Sequence, residues 1–158
     1  MSEKGKHGMM QNLEIRQLTS EDTEFLKACA ELSKLCLPEE AWSFESFRSE
    51  TEKSSGYVFI ILENQIVKGF LTASCILDTA DLTAIAVSSD SRRKGFAEKL
   101  LKELFLKIGS AEIFLEVRES NLPARKFYEK YDFKQVGIRK NFYQNPNENA
   151  ILMKRERS

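Results

Sequence analysis

Six consecutive residues, Arg92-Arg93-Lys94-Gly95-Phe96-Ala97, set three cations beside a glycine and a small residue just ahead of a helical apolar stripe. Before them, Leu82-Thr83-Ala84-Ile85-Ala86-Val87 is apolar over the length of a strand, and Ser88-Ser89-Asp90-Ser91 turns it. A strand that feeds such a turn, opening directly into a helix, presents backbone N–H groups with no acceptor inside the helix. Those amides and the positive end of the helix dipole suit an anion. Solvated turns of similar composition are common, so the hexapeptide alone does not establish a phosphate site. No Lys-Ser or Lys-Thr pair follows the glycine at the distance a Walker loop requires, and Gly-x-Gly-x-x-Gly is absent.

Other chemistries have fewer residues to draw on. The one histidine, His7, lies in the polar stretch Met1–Gln11, outside any expected core. Residues 1–12 read as a flexible tail and 13–158 as a single domain. The cysteines, Cys29, Cys36 and Cys75, are odd in number and form no Cys-x-x-Cys, which favours neither a disulfide framework nor a metal site. Lys+Arg and Asp+Glu balance at 24 each, so no general positive charge recruits nucleic acid. No stretch is long enough to span a bilayer, and the start lacks the apolar centre of a secretory signal. A cytoplasmic protein without nucleic-acid or membrane partners, monomeric or weakly dimeric, is the expectation.

The elements that must position the turn can be read in order. Leu13–Leu18 alternates as an opening strand, and Thr19 or Ser20 is expected to cap a helix carrying Phe25, Leu26, Cys29, Leu32, Leu35 and Cys36 up to Pro38. A shorter helix begins at Ser43, and Trp42 before it is either a core anchor or part of a substrate wall. Tyr57–Leu62 and Ile66–Leu77 form a hairpin, with Gly69 marking a bulge or a close backbone approach. Asp78–Asp81 is expected to turn into the strand Leu82–Val87. After the helix ending at Gly109, Ile113–Arg118 returns from a helical crossover and so runs parallel to that strand. Asn121 caps a last helix with Pro123 in its first turn, and Phe133–Ile138 and Ala150–Met153 close the sheet around a loop at Asn141–Asn149.

Two separated segments then carry a resemblance. Arg92-x-x-Gly95-x-Ala97 resembles the pyrophosphate signature of the GCN5-related N-acetyltransferases (GNAT). Leu115-Glu116-Val117-Arg118, Asn121, Ala124, Phe127-Tyr128 and Phe133 are similar to the second half of that family's pattern. With Arg139-Lys140-Asn141-Phe142-Tyr143 and Ala150–Met153, the chain looks most like the RimI-type branch that acetylates ribosomal-protein alanine. Asp132 departs from the glycine usual before Phe133, and Gln144–Asn149 keeps one acid where relatives often have a pair.

The resemblance implies an α/β (α+β) GNAT fold, a mixed, mainly antiparallel sheet with a splayed parallel strand pair and flanking helices. It implies acetyl-CoA as co-substrate, no metal, and a protein N-terminus, such as that of a ribosomal protein, as acceptor. By the same resemblance Glu116 takes the proton of the amine, Tyr128 protonates the departing thiolate, and the amides of Ile85, Ala86 and Val87 hold the acetyl oxygen. Arg92, Arg93, Lys94, Gly95, Phe96 and Ala97 bind the pyrophosphate, Asn121 the pantetheine arm, and Tyr143 and Glu148 the incoming peptide. Bland roles stand beside these: Glu116 paired with Arg118 or Lys134, Tyr128 as core packing, Asn121 as a cap, and Tyr131 as a bystander. A lysine or small-amine acetyltransferase, or an acetyl-CoA-binding module without turnover, are the rival functions.

Overall fold

The run Tyr57–Leu62 is apolar throughout because the strand that contains it is covered on both faces. Phe59 and Ile61 enter one buried cluster, and Val58, Ile60 and Leu62 enter another. The computed structural model describes residues 12–157. In chain order it forms β1 (Leu13–Gln17), α1 (Thr23–Cys36), α2 (Phe44–Glu52), β2 (Gly56–Glu63), β3 (Ile66–Ile76), β4 (Thr79–Val87) and α3 (Phe96–Ile108). It continues with β5 (Glu112–Arg118), α4 (Leu122–Lys130), β6 (Phe133–Tyr143) and β7 (Glu148–Arg155).

One sheet runs in the order β1-β2-β3-β4-β5-β7-β6. Residues of α3 and α4, among them Phe96, Leu100, Leu104 and Tyr128, pack on one face with Phe59, Leu71 and Leu115. Leu26, Cys29 and Leu32 of α1 and Phe47 of α2 pack on the other with Ile60 and Phe70. Gly69 lets α3 settle, since a Cβ there would stand 3.0 Å from the Ala86 carbonyl oxygen and 3.3 Å from Leu100 Cδ1.

Every neighbouring strand pair is antiparallel except β4 and β5. Those two are parallel and pair only through Thr79, Ala80 and Asp81 with Glu112, Ile113 and Phe114. Beyond Asp81 they part. The register of β4 on β3 slips between Thr72 and Ala73, leaving Thr83 as an extra residue, and the Thr72 and Thr83 hydroxyl oxygens lie 2.7 Å apart. Such a bulge bends and twists its strand, so β4 veers from β5 while β5 stays zipped to β7 from Ile113 to Arg118.

Several boundaries differ from the reading of the sequence. Thr19 does not cap α1: its N–H donates to the Asp22 carboxylate at 2.7 Å, and the turn so formed delays the helix to Thr23. The turn before β4 is at Leu77-Asp78, because Ile76 already pairs with Thr79. The closing strands are longer, and their connection shrinks to residues 144–147 because side chains bond the irregular stretch, with Asn141 N–H donating to Asn149 Oδ1 at 2.9 Å. Asn12, assigned to the tail, accepts the Asn64 N–H at 3.0 Å. The remainder of that tail, with His7, lies outside the described residues. Among the described residues no helix is long and apolar enough to cross a membrane.

Candidate active site

Side chains alternate along β5, and the core takes one set. Leu115 and Val117 are buried under α3 and α4, so Glu116 and Arg118 project from the opposite face. There Glu116 lines a cavity of about 660 Å³ with Trp42, Ile85, Asn121, Arg139 and Tyr143. Its side chain is 27% exposed, and Oε2 is occluded without a well-aligned hydrogen bond among the described residues. Arg139 Nε stands 2.6 Å from that oxygen as an ion contact. The partner is therefore Arg139 of β6 and neither Arg118 nor Lys134. A carboxylate oxygen held out of water, whose close contact comes from a largely exposed arginine, can exchange that contact for a proton or an ammonium group of a bound molecule.

The other wall of the splay is β4. Ser88 N–H donates to the Lys68 carbonyl oxygen at 2.8 Å, toward β3. Alternation then turns the peptide groups of Val87 and Ile85 to the edge that β5 has left, while Ala86 is buried against β3. The Val87 carbonyl oxygen on that edge accepts from Cys36 Sγ at 3.5 Å and from Arg92 Nε at 3.3 Å.

The basic turn continues from there. Arg93 and Gly95 both have positive φ, +68° and +80°, and Gly95 occupies the N-cap of α3 without contributing a side chain. Among the described residues no oxygen accepts from the N–H groups of Arg93 through Ala97. Two ion pairs to the β2–β3 hairpin brace the turn: Lys68 Nζ to Asp90 Oδ2 at 3.0 Å, and Lys94 Nζ to the buried Glu63 at 3.4 Å. The Ser88 hydroxyl, then Lys68 and Ser91, hold the Asp90 carboxyl down to about 2. Lys94 and Arg92 thus hold the turn, whereas Arg93 makes no ion pair among the described residues. Phe96 is buried beneath, and Ala97 is half-buried beside a cavity of about 270 Å³ to which Arg92, Arg93 and Gly95 also contribute. Open amides, an αL glycine and a basic rim fit a diphosphate.

Lys130 at the end of α4 and Tyr131 just after it also line that cavity. Tyr131 thus lies beside the basic turn; burial and the adjacent Glu98 carboxylate push its phenol up to about 12. Tyr128 reaches β5 from the opposite face, buried with its ring 5.5 Å from Phe133 and 5.4 Å from Phe127. Burial, then the nearby Tyr143, raises its phenol above the ordinary value. Asn121 is both cap and lining: Oδ1 accepts the Ala124 N–H at 3.2 Å while the residue faces the larger cavity. Tyr143 faces the same cavity, its phenol pushed up to about 12 by burial and then by Glu116. Glu148 accepts from Ser120 N–H at 2.6 Å and pairs with Arg118 at 3.2 Å, so its carboxylate is occupied within the chain.

The sequence reading did not assign Glu40 or Lys130 to the site, and it named Arg139 only within the closing segment, without a partner. Arg139 meets Glu116 across β7, and Lys130 meets the turn only through the docking of α4, so neither leaves a local spacing signal. Among the described residues no group of three or more His, Cys, Asp or Glu could hold a metal ion.

Known proteins resemble this chain in sequence and in fold. Residues 15–133 match the family described as Acetyltransferase (GNAT) family. The [ribosomal protein bS18]-alanine N-acetyltransferase of Haemophilus influenzae is 38% identical over 118 residues, covering 71% of this chain and 80% of that protein. The crystal structure of the ribosomal-protein-alanine N-acetyltransferase from Escherichia coli superposes with a TM-score of 0.82 at 30% identity, covering 92% of this chain and 94% of that one. Ard1 of Thermoplasma volcanium, 24% identical with a TM-score of 0.76 over 90% of this chain and 96% of that one, shares the fold.

Proposed function

This chain belongs to the GNAT family of acetyltransferases, and from that premise we propose that it acetylates the N-terminal α-amine of a protein, an alanine of a bacterial ribosomal protein being the favoured acceptor. The observation that carries the reading is the occluded Glu116 Oε2, which faces a cavity beside the gap between β4 and β5. The similarity to enzymes named for ribosomal protein bS18 alanine supports the choice of acceptor. A ribosomal substrate places the reaction in the cytoplasm.

Acetyl-CoA, when bound, supplies the acetyl thioester. The amides of Arg93 through Ala97 and the Arg93 side chain hold its diphosphate, and the splay admits its arm between β4 and β5. The outward amides of Ile85 and Val87 are fixed donors for the acetyl oxygen, needing no reorganisation as charge develops there. Glu116 receives the proton of the α-ammonium, which at a pKa near ~8 is mostly charged at neutral pH and cannot attack. Arg139 occupies the ammonium's place until the acceptor arrives. Tyr128 keeps its proton at neutral pH because burial raises it. A thiol near ~8.5 is a stronger acid than such a phenol, so Tyr128 serves the departing sulfur as a hydrogen-bond donor more readily than by complete proton transfer.

The test uses paired hexapeptides: one with a free N-terminal alanine, the other with a blocked N-terminus and an internal lysine. Thiol release and a mass gain only on the first are expected. Acetylation of the lysine peptide alone, or binding of acetyl-CoA with release from neither, overturns the reading.

A further inference from the structure

Arg118 follows Glu116 by two positions, so both side chains leave β5 on the same face. Its side chain is 15% exposed, and both terminal nitrogens are engaged. One terminal nitrogen, Nη2, lies 2.5 Å from Glu40 Oε2 and 2.9 Å from the Gln144 carbonyl oxygen. The other, Nη1, lies 3.0 Å from the Pro146 carbonyl oxygen and 3.2 Å from Glu148 Oε1. The guanidinium sits over the Tyr143 ring, 4.5 Å from its centroid. Glu40 ends a short 3-10 turn, Pro38–Glu40, between α1 and α2, and Gln144 and Pro146 lie in the connection between β6 and β7. Glu40, Tyr143 and Arg118 itself all line the cavity that Glu116 faces.

We propose that Arg118 is a positioning residue for the acceptor, a clamp that fixes the two walls of the cavity to the strand bearing the base. The proposal rests on the peptide-acetylating function above and adds that the spacing of these walls selects an extended chain. The connection 144–147 has no helix or strand of its own, so its path depends on the donors that hold its carbonyls. A planar guanidinium can serve two carboxylates and two carbonyls at once, which the single ammonium of lysine cannot match.

The experiment compares wild type, Arg118→Lys and Glu40→Gln with two acceptors, the alanine hexapeptide and alanine amide, which is too short to touch both walls. For the hexapeptide, Arg118→Lys is expected to raise KM about tenfold or more while the KM for acetyl-CoA stays within about twofold. With alanine amide, the loss in kcat/KM is expected to be several-fold smaller than with the hexapeptide. Glu40→Gln, which releases one wall from an exposed position, should shift the hexapeptide KM in the same direction and by less. An unchanged hexapeptide KM, or an equal loss with both acceptors, overturns the clamp. Hydrogen exchange reads the clamp without turnover: Arg118→Lys should speed exchange at residues 144–148 and 38–42 together, and unchanged exchange there also overturns it. Should wild type acetylate neither acceptor while the exchange behaves as expected, the acetyl-transfer reading fails and takes the acceptor-positioning role with it, leaving Arg118 only as a structural brace.

Discussion

The turn between β4 and α3, proposed above to hold the diphosphate, offers its free amides on neighbouring residues of one main chain, Arg93 through Ala97, whereas the cavity proposed for the acceptor is closed by side chains from distant segments. Glu40, Glu116, Arg118, Arg139 and Tyr143 come from the α1–α2 connection, β5 and β6, and meet only because the sheet has its particular strand order. The first region is specified by backbone conformation and helix polarity, which many side chains can support. The second is specified by residue identity, through one carboxylate and one guanidinium. A family of enzymes can thus keep one acyl donor while changing acceptors, because the two requirements sit in separate parts of the sequence.

The largest effect should come from the acceptor side. Glu116→Gln keeps the shape of the cavity and removes the proton acceptor, so kcat should fall by ~10²–10⁴, the range for a lost general base. Acetyl-CoA affinity, measured by titration, should stay within about twofold, since the turn does not touch Glu116. A parallel loss of acetyl-CoA binding would break the separation of the two regions.

The same contrast explains what could be read from sequence. The turn from strand into helix was legible because all its parts lie within six residues, and the parallel β4–β5 pair was legible because a helical crossover requires it. Glu116 was legible through a motif and the period of its strand. Its pairing with Arg139 was not, since it depends on β7 inserting between β5 and β6. Arg118 carried a weak signal in sharing the face of Glu116, but its partners Glu40 and Gln144 lie in connections whose placement no local pattern fixes. The start of α1 was misread because Asp22 bonds back to Thr19, an alternative the cap rules do not rank.

A smaller effect should separate backbone from side chain within the turn. At φ +80° Gly95 has open space around a built Cβ, with Glu98 Oε1 nearest at 3.9 Å, so the cost of Gly95→Ala is conformational. It amounts to ~1–2 kcal/mol for a non-glycine residue held in the left-handed region. If the turn keeps its path the thermal midpoint falls; if the turn relaxes, the amide array scatters and acetyl-CoA affinity falls about tenfold. Arg93→Ala removes one exposed cation and should cost only a few-fold in affinity, and more so at low ionic strength. A larger loss for Arg93→Ala than for Gly95→Ala would mean that the turn binds by charge and that the two regions differ less than their geometry suggests.

The smallest effect concerns the brace behind the turn. Asp90 has its carboxyl held down to about 2 from an ordinary 3.8, first by the Ser88 hydroxyl and then by Lys68. A depressed carboxylate adds stability above its unfolded value, and the contribution fades as pH falls from about 4 to about 2. Asp90→Asn removes the charge at every pH, so its thermal midpoint should lie below that of wild type near neutrality and meet it toward pH ~2. The difference is expected to be slight because Asp90 is exposed and screened. Since Lys68 and Ser88 hold only the turn, acetyl-CoA affinity should weaken with the midpoint while the hexapeptide KM stays in place. A gap that remains constant across that range would show that Asp90 acts through its shape and its hydrogen bonds, with its charge contributing nothing to the brace.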